Sequence, residues 1–309
     1  MTLQQLEYVM AVYRQKHFAK AAEACGVTQP TLSSMVQKLE EELGMKIFDR
    51  KKQPAVPTPE GKLVIEQAWR VLVRARKLKE AVEEEKKSLE GTFNIGILPT
   101  IAPYLIPRFF PQLMNKYPKM DVRITEMKTA DIKKALIHGD IDAGILVKME
   151  DMDLFDSHHL FYERYFVYAS KESALYRTEV VKTANLNEEY LWLLDEGHCF
   201  RDQLVKYCQL KAGMKSQKAY SLGSIETFMR MVESGKGVTF IPELAVAQLG
   251  EAQKGLVRPF AIPVPTRNVV MLTAKNFIRK TLLQLLIEKI QQAVPAEMLT
   301  LNRTRQETV

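Results

Sequence analysis

The residues best equipped for chemistry cluster at Asp195-Glu196-Gly197-His198-Cys199-Phe200-Arg201-Asp202-Gln203-Leu204-Val205-Lys206-Tyr207-Cys208. Phe200, Leu204, Tyr207 and Cys208 recur at helical spacing, which predicts a short helix with Cys199 at or near its first turn. A helix N-terminus beside a cationic side chain lowers a thiol's pKa and favours the nucleophilic thiolate, and His198 and Arg201 are the neighbours. Cys208 lies on the apolar face and should be packed away, an ordinary position for cysteine. Across a helical segment the nine-residue spacing separates the two residues by about 13 Å, whereas a disulfide needs Cα atoms within about 7 Å. Oxidation of Cys199 to a sulfenic acid and capture by Cys208 would therefore force local refolding, a switch. The plainer alternative is two unrelated cysteines, one exposed by chance, and spacing alone favours it.

Metal is a competing use of His198, Cys199 and Cys208, but a four-ligand zinc site wants paired ligands at short spacing and no Cys-x-x-Cys or His-x-x-x-His pair occurs. No metal and no cofactor are expected. His158-His159 reads as a surface loop, and His17 and His138 as helix closers, where a cation suits the dipole. Cys25 sits in a tight turn with a packing role. No Gly-x-Gly-x-x-Gly, phosphate-binding loop or serine nucleophile elbow is present, and Gly235-Lys-Gly237 reads as a loop before a strand.

From Thr92 onward short apolar runs alternate with amphipathic helices, which predicts a mainly parallel sheet in α/β domains. The expected strands are Phe93 to Leu98, Val122 to Met127, Ala143 to Val147, Tyr165 to Ala169, Leu191 to Leu194, Ala219 to Leu222, Val238 to Ile241 and Val269 to Thr273. Phe277 to Val294 reads as the last helix, and the polar tail Asn302 to Val309 as loose. Open parallel sheets bind ligands beyond the carboxyl ends of their strands, where helix N-termini point free N–H groups into the crevice. Thr100, Thr129 and Cys199 all meet that description, although each threonine alone reads as an ordinary N-cap.

The first 90 residues differ. Leu3, Leu6, Val9, Met10 and Tyr13 repeat at helical spacing, and Phe18 to Ala24 gives a second short helix. Cys25-Gly26-Val27 breaks the pattern, Thr28 offers a capping hydroxyl, and Pro30 sits in the first turn, where its missing N–H costs nothing. The new helix, Thr31 to Leu43, is apolar on Leu32, Met35, Val36, Leu39 and Leu43 and stops at Gly44. Two helices joined by a short Gly-containing turn, the second with a small polar outer face, describe a helix-turn-helix. Ile47 to Lys52 and the stretch to Pro57 read as a hairpin wing. Thr58 caps a helix with Pro59 at its first position, extending to Lys87 and over about 40 Å long. Its stripe of Leu63, Ala68, Val71, Leu72, Ala75, Leu78 and Val82 suits pairing with a second copy, because an exposed apolar stripe of that length is an aggregation risk in a monomer.

Composition narrows the class. The chain has 309 residues, enough for two or three domains, with a formal net charge of +7. The excess is spread out: residues 1 to 90 hold 16 Lys+Arg against 13 Asp+Glu, so there is no basic arm. The uncharged stretch Gly91 to Pro107 contains three prolines and falls short of the ~20 apolar residues of a membrane helix. Met1 to Glu7 lacks the basic start and apolar run of a signal peptide, which predicts a chain that stays in a reducing cytosol. Three cysteines make no disulfide scaffold, so their value lies in reactivity.

Phe18-Ala-Lys-Ala-Ala-Glu-Ala-Cys-Gly-Val-Thr-Gln-Pro-Thr-Leu-Ser33, Leu39 to Gly44, Phe48-Asp-Arg50, Thr58-Pro-Glu-Gly61 and Gly235 to Pro242 together resemble the LysR-type transcriptional regulators over nearly the whole chain. Gly197 to Gln203 ending at Cys208, and Ile97-Leu-Pro-Thr100, resemble the peroxide-sensing subgroup of that family. The resemblance implies an α/β protein: an N-terminal winged helix-turn-helix (1–58), a long linker and dimerisation helix (59–90), and a periplasmic-binding-protein-like regulatory module. That module would have one subdomain from 91–162 and 268–300 and another from 163–267. It further implies a homotetramer on promoter DNA that activates antioxidant genes when oxidised, working with RNA polymerase and reset by a cytosolic thiol reductant.

Carried over by position, Cys199 resembles the peroxidatic thiol, Cys208 its resolving partner, and Thr100, Thr129, His198 and Arg267 the groups around hydrogen peroxide. Base reading is expected from Gln29, Pro30, Thr31, Ser33, Ser34 and Gln37, with Lys38, Arg50, Lys51 and Lys52 against phosphates or the minor groove. Two alternatives stand beside this sensor: a LysR regulator reading a small anionic metabolite through Thr100 and Thr129 with idle cysteines, and a thiol peroxidase with a dispensable DNA domain.

Overall fold

The structure, a computed structural model, describes residues 1–50, 54–86, 89–194, 199–210, 224–275 and 277–309. The chain divides into two compact units, Met1–Lys86 and Lys87–Val309.

In the first unit, α1 (Leu3–Gln15) opens with a capping box in which Thr2 and Gln5 satisfy each other's backbone N–H groups. α2 (Phe18–Ala24) is capped by the His17 ring, whose Nδ1 accepts from the Ala19 N–H, so His17 opens this helix where the sequence reading had it close the previous one. α3 (Gln29–Leu43) is capped by the Thr28 hydroxyl and ends at Gly44 with φ +68°, the left-handed conformation glycine adopts most cheaply. Leu32, Val36 and Leu39 of α3 join Leu6, Val9, Val12 and Ala21 in one core. β1 (Phe48–Asp49) and β2 (Val56–Pro57) pair antiparallel as the wing. α4 (Pro59–Glu85) follows directly, capped by Thr58. Ala68 of its predicted stripe is buried in the core, whereas Leu63, Val71, Leu78 and Val82 are exposed.

In the second unit, β3 (Gly91–Ile97), α5 (Ala102–Lys116), β4 (Met120–Glu126), α6 (Thr129–His138) and β5 (Ala143–Val147) wind as parallel β–α–β repeats. β6 (Phe155–Ala169), α7 (Cys199–Tyr207), α8 (Ile225–Glu233), β7 (Val238–Pro242), α9 (Glu243–Val246), α10 (Glu251–Lys254), β8 (Val257–Pro259), β9 (Val264–Ala274), α11 (Lys280–Gln292) and β10 (Gln306–Thr308) complete it. The sheet order is β4-β3-β5-β9-β6-β7, with β10 on β9 and β8 on β6.

This sheet corrects the expectation of a mainly parallel one, because β9 runs antiparallel to both β5 and β6, and β6 antiparallel to β7 and β8. Local hydropathy shows an apolar run but not which way a distant partner runs. β6 is also three times the predicted length: its first half carries a run of polar side chains, among them His158 and His159, which lie in this strand and not in a loop. The Leu191–Leu194 segment makes only a single bridge, Leu191 to Val238. The strand expected at Ala219 to Leu222 lies outside the described residues. The tail, expected to be loose, adds β10 in parallel to β9. Among the described residues no helix is long and apolar enough to cross a membrane.

Candidate functional site

β6 and β9 set Glu163 and Arg267 directly opposite each other in their antiparallel register. Both side chains are fully buried, and Arg267 Nη2 and Nε reach Glu163 Oε2 at 2.7 and 2.8 Å. A buried guanidinium survives only with its hydrogen bonds made. Arg267 therefore also donates through Nη1 to the Thr100 hydroxyl at 3.2 Å and through Nη2 to the Thr100 carbonyl at 3.0 Å. Burial opposes its charge, but the carboxylate of Glu163 and the Tyr165 phenol outweigh that effect and hold Arg267 charged. Its guanidinium lies over the rings of Phe200, 5.3 Å away, and Tyr165, 5.8 Å away.

Phe200 leads to the thiol. Cys199 is the first residue of α7 and only 5% exposed. Burial pushes its thiol up. The Thr129 hydroxyl, the charge of Arg267 and the Phe200 backbone N–H pull it down, Asp202 pushes it up, and the net effect is a raised pKa. The sequence reading expected the opposite direction, since it counted the helix terminus and neighbouring cations but not desolvation. The cation that matters is Arg267; Arg201 instead faces Asp202 at 3.6 Å.

Neither threonine is an N-cap. Ile101 occupies that position before α5 and Lys128 before α6. Thr129 is the first residue of α6, and its buried hydroxyl favours the Cys199 thiolate while making no hydrogen bond of regular geometry among the described residues. A buried hydroxyl with no regular partner is costly, so it is a position where a small polar molecule would be welcomed.

Cys208 follows α7 directly, its N–H still bonded to the Leu204 carbonyl at 2.9 Å, and burial pushes its thiol up to about 12. Both cysteines are free thiols. The segment between them is helical throughout, so they stand about 13 Å apart along it. Thus Cys199, Thr129, Thr100 and Arg267 come together, and Cys208 stands off. His198 lies outside the described residues. Sequence reasoning missed Glu163 and Tyr165. The available signal for Glu163 was a carboxylate in the same alternating phase as Phe161, Tyr165 and Val167, all of them buried.

On α3, Gln29, Pro30, Thr31, Ser34, Gln37 and Lys38 are exposed, and Ser33 is half-buried. Arg50 donates to the Ser33 hydroxyl at 3.0 Å and pairs with Glu40 at 3.3 Å, so the basic side chain expected at a phosphate is tied within the unit. Glu40 is itself buried and accepts from the Ile47 and Phe48 N–H groups, which anchors the wing to α3. Lys51 and Lys52 lie outside the described residues.

A helix-turn-helix with a hairpin wing and a long following helix, carried on the same chain as an α/β unit with a mixed sheet, defines a bacterial DNA-binding regulator. The chain belongs to the LysR family: residues 3–62 match the bacterial regulatory helix-turn-helix protein of the lysR family and residues 86–295 the LysR substrate binding domain. It is 33% identical over 271 residues to the hydrogen peroxide-inducible genes activator of Haemophilus influenzae, covering 88% of this chain and 90% of that one. It is also 33% identical to the DNA-binding transcriptional dual regulator OxyR of Escherichia coli, over 87% and 88% of the two chains. Among solved structures, a full-length OxyR variant from Pseudomonas aeruginosa superposes with a TM-score of 0.75 at 35% identity, covering 94% of this chain and 98% of that one. OxyR from Porphyromonas gingivalis superposes at 0.66 with 44% identity, covering 71% and 99%.

Proposed function

We propose that this chain is a peroxide-sensing transcriptional activator, and that hydrogen peroxide is read at Cys199. The observation that carries the reading is the buried Cys199 thiol beside the Thr129 hydroxyl and the charged Arg267, with a second thiol nine residues on. Peroxide in this pocket meets a hydroxyl and a guanidinium able to polarise its O–O bond. The Cys199 thiolate attacks one oxygen, the O–O bond breaks, and the other oxygen leaves as water after taking up a proton. The Cys208 sulfur then attacks the sulfenic acid; the S–S bond forms, the S–O bond breaks, and the departing oxygen leaves as water with the Cys208 proton. Since the intervening helix keeps the sulfurs apart, the second step requires α7 to unwind.

The remaining roles follow from this reading. Residues 91–162 with 268–300 form one regulatory subdomain and 163–267 the other, after a DNA-binding domain at 1–58 and a linker helix at 59–90. The exposed Leu63, Val71, Leu78 and Val82 pair α4 with a second copy, within a homotetramer. Gln29, Pro30, Thr31, Ser33, Ser34 and Gln37 face bases, while Lys38, Lys51 and Lys52 face the DNA backbone or minor groove, which Arg50 reaches on letting go of Ser33 and Glu40. His198 adds to the peroxide pocket. The protein works in the cytoplasm with RNA polymerase, is reset by a thiol reductant, and is not an enzyme. An anion reader is disfavoured because the guanidinium facing the pocket is already neutralised by Glu163.

Titrating the reduced protein with peroxide while counting free thiols tests the reading. Stoichiometric loss of two thiols is expected. No loss would point to the anion reader, and sustained turnover with a thiol reductant to a peroxidase.

A further inference from the structure

α7 is only nine residues long, shorter than the roughly 12 to 15 residues at which an isolated helix begins to hold in water, so its neighbours decide whether it stays wound. On one side its apolar residues Phe200 and Leu204 line a small pocket shared with Trp192, Leu194, Phe228 and Phe240. On another side it is tied by hydrogen bonds. Gln203, one turn beyond Cys199, accepts from the Tyr165 hydroxyl at 2.8 Å and donates to a main-chain oxygen of Val309 at 2.5 Å. One turn further, the Tyr207 hydroxyl donates to the Pro263 carbonyl at 2.7 Å, at the start of β9.

The residue that receives the Gln203 bond is firmly held. β10 pairs with Val264, Pro265 and Thr266 of β9, the Val264 N–H donates to the Arg305 carbonyl at 2.7 Å, and the Val309 N–H donates to the Thr266 carbonyl at 3.1 Å. The next residue of β9 is Arg267. The end of the chain is therefore stitched to the strand that presents the pocket arginine and to the helix that presents the thiol.

We propose that β10 is a strap on the Cys199 helix. It acts through Gln203, a positioning residue, to keep α7 wound and so to set how long a sulfenic acid at Cys199 persists before Cys208 captures it. The proposal rests on the peroxide-sensing reading above. Among the described residues the strap makes no hydrogen bond to either sulfur and reaches α7 through Gln203, so it governs the resolving step, in which the S–S bond forms and water leaves, and not the first attack on peroxide.

The test uses the reduced full-length protein, Gln203→Met, which keeps the side-chain volume without the hydrogen bonds, and a chain ending after Thr304. Each is mixed with hydrogen peroxide and quenched over time with a sulfenic-acid trap, and intact mass separates sulfenic acid from disulfide. Amide hydrogen exchange across α7 is followed in parallel without peroxide. Both variants should convert sulfenic acid to disulfide about five- to tenfold faster, the factor expected for releasing one hydrogen bond of typical net strength, while the first oxidation stays within about twofold of the parent. Exchange in α7 should rise by a similar factor. Parent-like conversion and exchange in Gln203→Met, whose tail is complete and which decides the matter if the shortened chain does not fold, would overturn the strap. A parent protein that keeps its thiols in peroxide would overturn the sensing reading instead, and the exchange measurement would still judge the strap.

Discussion

Glu163 and Arg267 face each other across β6 and β9, and the carboxylate holds a guanidinium that has no exposure to water. Breaking such a pair from one side leaves an uncompensated buried charge, whereas replacing both partners with apolar groups removes that cost. Arg267→Met or Glu163→Leu alone should destabilise the regulatory unit by about 3 to 5 kcal/mol, and the double variant by clearly less. Urea unfolding followed by tryptophan fluorescence measures this; a double variant weaker than either single one would show that the pair stabilises for another reason.

Thr129 makes the opposite case. Its hydroxyl is buried without a regular partner, so Thr129→Val, which keeps the shape, should leave stability unchanged or raise it by up to about 1 kcal/mol. It should also slow peroxide oxidation of Cys199, because one of the groups favouring the thiolate is gone. Stopped-flow oxidation at parent rates would remove Thr129 from the site.

Burial holds the Cys208 thiol up at about 12, above its ordinary value of 9.0. The folded state therefore prefers the protonated thiol. The stability this confers is complete below about pH 9 and is lost as pH rises toward 12. Cys208→Ala should lack that part of the alkaline loss. The difference between parent and variant denaturation midpoints, taken from pH 8 to 11, should narrow as pH rises if Cys208→Ala begins less stable; a constant difference would contradict the assigned cause.

The DNA-binding unit yields a paired prediction. A Cβ on Gly61 would lie 2.0 Å from the Ile47 carbonyl oxygen. Gly61→Ala should thus lower the melting temperature of that unit, at a cost of about 3 kcal/mol or more for a backbone clash, and weaken DNA binding at every salt concentration. Lys38→Ala, on the exposed face of α3, should leave melting unchanged and flatten the salt dependence of binding by about one unit of slope. Equal effects of the two substitutions on melting would refute the distinction.

Local signals made the DNA-binding unit legible. Thr28 and Pro30 fix the start of α3, Gly44 its end, and Thr58 and Pro59 the start of α4, and each acts within a few residues of itself. The regulatory unit depends on pairings distant in sequence, 42 residues apart for Gln306 with Val264 and 104 for Glu163 with Arg267. Nothing near Glu163 announces Arg267, and nothing in the polar tail announces that it will find an open edge on Val264 to Thr266. The two cysteines and two threonines were found because their types are chemically conspicuous. Tyr165 was not found, since a tyrosine in a strand has many ordinary uses. The sign of the Cys199 shift was misjudged for a related reason, because desolvation is a property of packing that spacing does not reveal.

The contact beneath Gly61 reaches beyond stability. The Thr58 hydroxyl donates to the Lys46 carbonyl at 2.6 Å, the Thr58 N–H donates to the Ile47 carbonyl at 3.0 Å, and the first turn of α4 lies against that same backbone. With Ile47 also fastened to Glu40 of α3, the first strand of the wing, α3 and the root of the long helix form a single joint. A twist of the first turn of α4 is therefore passed to α3 through the Ile47 backbone and the Glu40 carboxylate.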